Sequence, residues 1–214
     1  MTGSALVTIK TPATSGTYTI GRNGKKISEI TIHHMAGFLD VDKVVAMWKA
    51  GNKATSSNYG VKGKNIGQYV GEENASWCNG NFDSNCRAVT IETANSSGDP
   101  NWPVSDETLA TLIKLVADIA KRNNLGELVV GKNLTYHSMY AATGCPGPYL
   151  FNKLGYIAEE ANKINATSSG AKKLTKGYSV QFGFYANKAN ADSEVKRFKE
   201  AGLTCIAAEA ERYI

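Results

Sequence analysis

The sequence lacks most of the features that would place it in a membrane or on a nucleic acid. It contains no apolar run of about 18 residues, so no transmembrane helix is predicted. The N-terminus has no basic start followed by an apolar run, so no secretory signal is expected. The basic residues behind the net charge of +5 are scattered and are not interleaved with aromatic side chains, so no nucleic-acid partner is expected.

Cysteine is also scarce, and four residues are few for a disulfide scaffold. Cys78 and Cys86 flank a short loop, and they either pair in an oxidising compartment or remain reduced thiols. Cys205 lies in an apolar run and is expected to pack as a small core residue. Neither Cys-x-x-Cys nor His-x-x-x-His spacing occurs, which excludes the structural zinc modules.

The composition that remains is typical of a globular protein, with 42% hydrophobic and 20% charged residues in a chain of 214. Predicted strands at 27–34, 66–70 and 88–93 alternate with predicted helices at 106–123 and 148–165. This order indicates the α/β class, with a mixed central sheet flanked by helices.

Two helix starts are predicted from capping residues. Ser105 is a plausible N-cap for the helix at 106–123, because its hydroxyl can accept from the first free amides. Asp40 is expected to cap a shorter helix that carries Val44 and Trp48.

The chain is expected to divide into a large domain at 1–164, a linker at 165–176 and a small C-terminal unit at 177–214. The start of the linker is small, polar and basic, as flexible connectors are. A unit of this size is marginal for folding alone. Its predicted elements are a strand, a helix and a strand, at residues 178–184, 190–201 and 203–207.

The three histidines and one cysteine suggest a metal site. His33 and His34 end a predicted strand, and Cys145 follows His137 by eight residues in a Gly-Cys-Pro-Gly loop. Imidazole and thiolate are side chains that zinc prefers. Adjacent residues point to opposite faces of a strand, so only one of the paired histidines should join His137 and Cys145. Three ligands leave one tetrahedral position open, which is typical of a catalytic zinc.

Four segments, in this order, resemble the type-2 family of N-acetylmuramoyl-L-alanine amidases. That family includes phage endolysins, bacterial autolysins and the peptidoglycan-recognition proteins of animals. The His-to-Cys-Pro-Gly segment is the most specific of the four, and the two middle segments are weak alone. The segments are Ile-His-His-Met-Ala-Gly at 32–37, Ser-Asn-Tyr at 57–59, Val-Thr-Ile-Glu at 89–92, and His to Cys-Pro-Gly at 137–147.

The resemblance implies a zinc hydrolase that cleaves the amide between the lactyl group of N-acetylmuramic acid and L-alanine of the stem peptide. It carries zinc ligation onto His33, His137 and Cys145. The first histidine of the pair aligns with the family ligand, so His34 is then an imidazole packed beside the site. Zinc would lower the pKa of a water and polarise the amide carbonyl.

The resemblance also implies three catalytic side chains. Glu92 matches the family carboxylate that acts as general base, the alternative being a glutamate at an exposed strand end. Tyr59 matches a tyrosine that donates to the oxyanion, the alternative being a half-buried aromatic residue. Thr143 holds a family position of a second polar contact to the tetrahedral intermediate. Departures after His137 and at Gly60 affect the residues around the ligands and leave the ligands themselves in place.

The C-terminal unit resembles half of a SPOR repeat, a domain that binds peptidoglycan glycan strands. A single half implies either a homodimer or docking on the catalytic domain, the alternative being a structural appendage. The last 52 residues carry nine basic and five acidic side chains, which suits an anionic cell wall.

These features predict a phage endolysin, a bacteriolytic and antimicrobial enzyme. It would wait in the cytoplasm of the infected cell and act on the cell wall after release. The alternatives are a host autolysin, a wall-binding protein without turnover, and a metal-free peptidase using Cys145 and His137. Pro146 argues against the peptidase, because it denies the thiol a helix N-terminus.

Overall fold

The computed structural model describes residues 1–169 and, beyond them, 179–180, 183–184, 192–193, 195–197 and 200. The chain divides into two compact units, Met1–Ser168 and Ser169–Ile214. Among the residues described, no helix combines the length and apolar character needed to cross a membrane.

Short strands and four helices build the chain up to Ser169. The strands are β1 (Ile9–Lys10), β2 (Tyr18–Thr19), β3 (Glu29–His34), β4 (Tyr59–Lys62), β5 (Asn65–Gln68), β6 (Ala75–Ser76), β7 (Ala88–Thr93) and β8 (Leu134–Tyr136). The helices are α1 (Val44–Ala50), α2 (Phe82–Arg87), α3 (Asp106–Arg122) and α4 (Gly147–Ser169), with a 3-10 turn at His137–Met139.

Six of these strands form one mixed sheet in the order β1-β5-β4-β7-β3-β8. Only β4 and β5 pair antiparallel, and the other neighbours in the sheet run parallel. Strands β2 and β6 form a separate antiparallel pair. The predicted α/β class with a mixed central sheet is confirmed.

The two central strands divide their side chains between a core face and a site face. Ile30 and Ile32 of β3 pack with Ile91 of β7 and with α3 and α4 in the main hydrophobic core. In the parallel register, His33 lies directly opposite Glu92 and points to the other face, since side chains alternate along a strand. The site face therefore carries two polar residues side by side near the ends of their strands.

The start of α3 is the one predicted, and the start of α1 is different. The Ser105 side chain caps α3 by accepting a hydrogen bond from the backbone amide of Thr108. Helix α1 has Lys43 at its N-cap with no side-chain hydrogen bond, so the predicted cap by Asp40 is wrong. The Asp40 carboxylate instead pairs with Lys62 at 2.7 Å, so an ion pair with β4 replaces the expected local bond.

The linker and the C-terminal unit depart from the prediction where they are described. Residues 165–169 continue α4, so the predicted linker begins as helix. The predicted strand at 178–184 is instead two short strands, β9 (Ser179–Val180) and β10 (Gly183–Phe184), which pair antiparallel.

The rest of the C-terminal prediction is only partly described. The residues described at 192–193, 195–197 and 200 are helical, which agrees with the predicted helix at 190–201. The predicted strand at 203–207, Cys205 within it and the remainder of the linker lie outside the described residues.

Candidate active site

An open pocket lies where β3 and β7 end, on the sheet face opposite the main core. Its wall includes both imidazoles of the predicted ligand set, their cysteine and the buried carboxylate. The residues that line it include His33, Cys78, Glu92, Trp102, His137, Thr143 and Cys145.

The three predicted metal ligands meet in this pocket. His33 is the last residue but one of β3, and His137 follows β8, the parallel neighbour of β3. The loop before α4 folds Cys145 back, because the Ser138 amide donates to the Cys145 carbonyl at 3.1 Å. One ligand atom from each of the three residues lies within 4.8 Å of the others, and the two imidazole centroids are 4.5 Å apart.

The distances and protonation of these groups fit zinc. The Nδ1 atom of His33 lies 3.6 Å from the Cys145 sulfur. Tetrahedral zinc with ordinary nitrogen and sulfur bond lengths places two such atoms roughly 3.6 Å apart. Burial lowers the pKa of His33 to about 3, so this imidazole is neutral near pH 7, as a ligand must be.

The sulfur and the second histidine of the pair are linked through the backbone. The His34 amide donates to the Cys145 sulfur at 3.4 Å. The His34 ring meets Trp102 edge-on at 5.4 Å, so it packs beside the site as expected. Gly147 has φ of +81°, and a Cβ there would lie 3.1 Å from the His34 ring. The glycine of the Cys-Pro-Gly segment is therefore required by its backbone and by this close approach.

Glu92 is a buried carboxylate at the floor of the pocket. Its Oε1 accepts from the Cys78 thiol at 3.5 Å, and its Oε2 has no hydrogen-bond partner among the described residues. Burial raises the pKa of Glu92 to about 7. A carboxylate with that pKa can both accept and return a proton near neutral pH.

Of the two alternatives left open for Cys78 and Cys86, the structure shows the reduced one. Cys78 and Cys86 are free and buried in the structure. Cys78 donates its proton toward Glu92, and burial together with that carboxylate raises the pKa of its thiol. Both cysteines are therefore reduced thiols.

Tyr59 lies outside the pocket, so its predicted contact with the oxyanion is wrong. The register of β4 places it opposite Ile91, on the core face of the sheet. Its side chain is fully buried, and its hydroxyl donates to Glu72 at 2.6 Å and accepts from the Ser4 amide at 2.9 Å. The site-facing residue of β4 is Gly60, which pairs with Glu92.

Thr143 lies on the exposed rim of the pocket. Its hydroxyl accepts from the Cys145 amide at 3.2 Å, so it shapes the loop that carries the sulfur. The predicted contact with a tetrahedral intermediate remains a prediction.

Sequence reasoning missed the loop between β6 and α2 as part of the site. The Oδ1 atom of Asn79 lies 2.9 Å from Nε2 of His33, and the adjacent Cys78 contacts Glu92. A Cβ at Gly80, where φ is +65°, would lie 4.0 Å from Nε2 of His137. No local pattern ties these residues to the ligands; the Cys-Asn-Gly run was the available signal, and it indicates only a polar turn.

Comparison with known families gives a match over the part of the chain that forms this site. The family model described as N-acetylmuramoyl-L-alanine amidase matches residues 23–148. The comparison with curated proteins found no match.

Solved structures share the fold at low sequence identity. The Clostridium intestinale URNW endolysin amidase LysCS is 17% identical, covering 69% of this chain and 92% of its own, with a TM-score of 0.54. A mutant endolysin from Bacillus subtilis is 20% identical, covering 72% and 97%, with a TM-score of 0.55. The Staphylococcus aureus hydrolase AmiA in complex with its ligand is 14% identical, covering 74% and 84%, with a TM-score of 0.59.

Proposed function

Because this chain belongs to the N-acetylmuramoyl-L-alanine amidase family, we propose that it is a zinc-dependent peptidoglycan hydrolase. The bond it would cleave joins the lactyl group of N-acetylmuramic acid to L-alanine of the stem peptide. The observation that carries the proposal is the meeting of His33, His137 and Cys145 beside the buried carboxylate of Glu92.

His33 and His137 would bind the metal through nitrogen, and Cys145 would bind it through sulfur. Zinc, when bound, would polarise the amide carbonyl and lower the pKa of a water. The metal-free Cys145 thiol has a raised pKa because of burial and the charge of Glu92, and a bound dication would favour its thiolate. The His34 amide already donates to this sulfur, which favours the thiolate as well.

Glu92 would handle the protons of the hydrolysis. It faces the ligand side of the sheet and its pKa is near neutrality, so it can take a proton from the attacking water. The same carboxyl can then give the proton to the departing nitrogen of L-alanine. The Cys78 thiol donates to one carboxylate oxygen, and the other has no hydrogen-bond partner among the described residues, so it would be the one to take the proton.

A metal-free cysteine peptidase is disfavoured by the same thiol. Such an enzyme needs a cysteine whose pKa is lowered by its surroundings. Burial and Glu92 raise the pKa of Cys145 instead, and the sulfur faces a neutral imidazole.

The biological role we propose is that of a phage endolysin. Two of the similar structures are endolysins, and the match with the family covers the catalytic residues. The protein would remain in the cytoplasm of the infected cell until release and then act on the wall. The C-terminal unit, at 177–214, would bind glycan strands or pair two copies of the chain, and the lysine-rich segment before it, at 163–176, would favour an anionic wall.

The products of digestion test the proposed reaction. Purified cell walls are incubated with the full chain, and new L-alanine amino groups and new reducing sugars are counted. We expect amino groups without reducing ends, loss of the activity with EDTA, and recovery on adding zinc. New reducing ends without amino groups, or full activity in EDTA, would overturn the proposal.

A further inference from the structure

We propose that Asn79 is a positioning residue that fixes the tautomer of His33 and so directs its Nδ1 lone pair toward Cys145. The inference rests on the proposed function and deepens it, because it concerns how the chain prepares its first metal ligand. Asn79 lies on the loop between β6 and α2, and it reaches the site through its contact with His33.

Asn79 is fully buried and uses both ends of its amide. Its Oδ1 lies 2.9 Å from Nε2 of His33. Its Nδ2 lies 3.2 Å from the Thr31 hydroxyl and 3.1 Å from the Ser84 hydroxyl. The orientation of this amide decides which nitrogen of His33 carries the proton, since an amide oxygen only accepts.

The Thr31 hydroxyl on β3, which contacts Asn79, has no proton left to donate to it. Thr135 donates its single proton to the Ile30 carbonyl at 3.1 Å. The 2.9 Å contact between Thr31 and Thr135 must then use the proton of Thr31. Thr31 can therefore only accept from Asn79, which places the amide nitrogen there.

The second hydroxyl gives the same answer independently. Ser84 donates to the Asn81 carbonyl at 3.1 Å, so it too can only accept from Asn79. A flipped amide would direct its oxygen at two hydroxyl oxygens whose protons are already used. The amide nitrogen of Asn79 therefore faces the hydroxyls, and its oxygen faces His33.

The consequence for His33 follows from this orientation. Its Nε2 must carry the proton that Asn79 accepts, because two acceptors would otherwise face each other. Its Nδ1 is then unprotonated, and this is the atom 3.6 Å from the Cys145 sulfur. The metal-binding tautomer is thus set before any metal arrives.

The loop around Asn79 is held by its own hydrogen bonds. The Asn85 side chain accepts from the amides of Asn79, at 2.9 Å, and Cys78, at 3.3 Å. Asn81 caps α2 by accepting from the Ser84 amide at 2.9 Å. Helix α2, which follows the loop, therefore fixes the position of Ser84, and the Ser84 hydroxyl in turn holds the Asn79 amide.

The tautomer can be measured directly on the full chain without metal. The sequence has three histidines, so nitrogen-15 NMR of labelled imidazole rings gives a spectrum of three spin systems. In wild-type protein we expect His33 as the Nε2–H tautomer. Finding it as Nδ1–H would overturn the proposal even if no variant folds.

Two substitutions of Asn79 then distinguish its role as a hydrogen-bond acceptor from its role in packing. Asn79→Leu removes the acceptor at similar volume, and we expect mixed tautomers and zinc affinity weaker by about 10- to 100-fold, measured by chelator competition. Asn79→Asp keeps an acceptor toward His33 but loses the donor to Thr31 and Ser84, so we expect the wild-type tautomer and most of the zinc affinity at a lower stability. Unchanged tautomer and affinity in Asn79→Leu would contradict the proposal.

A control removes a similar amide away from the site. Asn162 on α4 donates to and accepts from the backbone of Leu128, and Asn162→Leu should lower stability without changing the His33 tautomer. Failure of the proposed function is distinguishable, since a chain without amidase activity can still show the Nε2–H tautomer of His33.

Discussion

Glu92 lies directly opposite His33 in the parallel pairing of β7 and β3. Two neighbouring strands therefore place a carboxylate and an imidazole side by side on one face of the sheet without a flexible loop. Sites built on strands hold their geometry better than sites built on loops.

Replacing Glu92 should separate metal binding from catalysis. We expect Glu92→Gln to keep its zinc and to lose about 10²- to 10⁴-fold in kcat, because the amide cannot accept the proton. The release of L-alanine amino groups and the zinc content are measured on the same preparation. Glu127→Gln, at an exposed position, is the matched control and should match wild type. Loss of zinc from Glu92→Gln would contradict its role as a base alone.

The raised pKa of Glu92 predicts a pH dependence of stability in the metal-free protein. The folded state binds the proton up to about pH 7, whereas the ordinary value is 4.5. Between these values the folded state holds more protons than the unfolded state, so the free energy of unfolding falls as pH rises. The loss is at most about 3 kcal/mol and is complete above the folded pKa.

Urea denaturation in EDTA at several pH values checks this dependence. We expect the difference in free energy of unfolding between wild type and Glu92→Gln to move in favour of the variant as pH rises from about 4.5 to 7. A difference independent of pH would show that the carboxyl has an ordinary pKa.

Cys145→Ser tests the sulfur ligand. We expect about one zinc per chain in the wild type and little in the variant, because a neutral hydroxyl replaces a thiolate. Elemental analysis measures both proteins. Cys86→Ser is the control, since Cys86 is a buried free thiol on α2 and does not line the pocket. Equal loss of zinc in both would point to a folding defect.

Tyr59→Phe should affect stability more than activity. The change removes a buried hydroxyl that bonds to Glu72 and the Ser4 amide, so we expect a loss of about 1–3 kcal/mol in the free energy of unfolding. Wall digestion by the folded variant should match wild type. A large loss of kcat with no loss of stability would show that Tyr59 takes part in catalysis.

The strands of the six-stranded sheet and the loop that holds Cys145 beside His137 were predictable because their signals are local. Alternation along β3 predicted a two-faced strand, and the eight-residue spacing of His137 and Cys145 predicted a shared loop. Ser105 was predictable as a cap because its partner amide is three residues away.

The misses arose where tertiary contacts decide the outcome. Tyr59 was assigned to the site by its motif, but only the register of β4 on β7 shows which face it occupies. Asp40 bonds to Lys62 across the sheet edge, so its capping signal was overridden. Asn79 is 46 residues from His33, and only folding brings the two together.

The apolar residues of β3 determine which of its two imidazoles, His33 or His34, faces the site. A one-residue slip of β3 would turn His34 toward His137 and Cys145, and it would also drive Ile30 and Ile32 out of the core. The burial of these apolar side chains thus determines which imidazole faces the site. An insertion or deletion in this strand should therefore lower the stability of the fold as well as the activity.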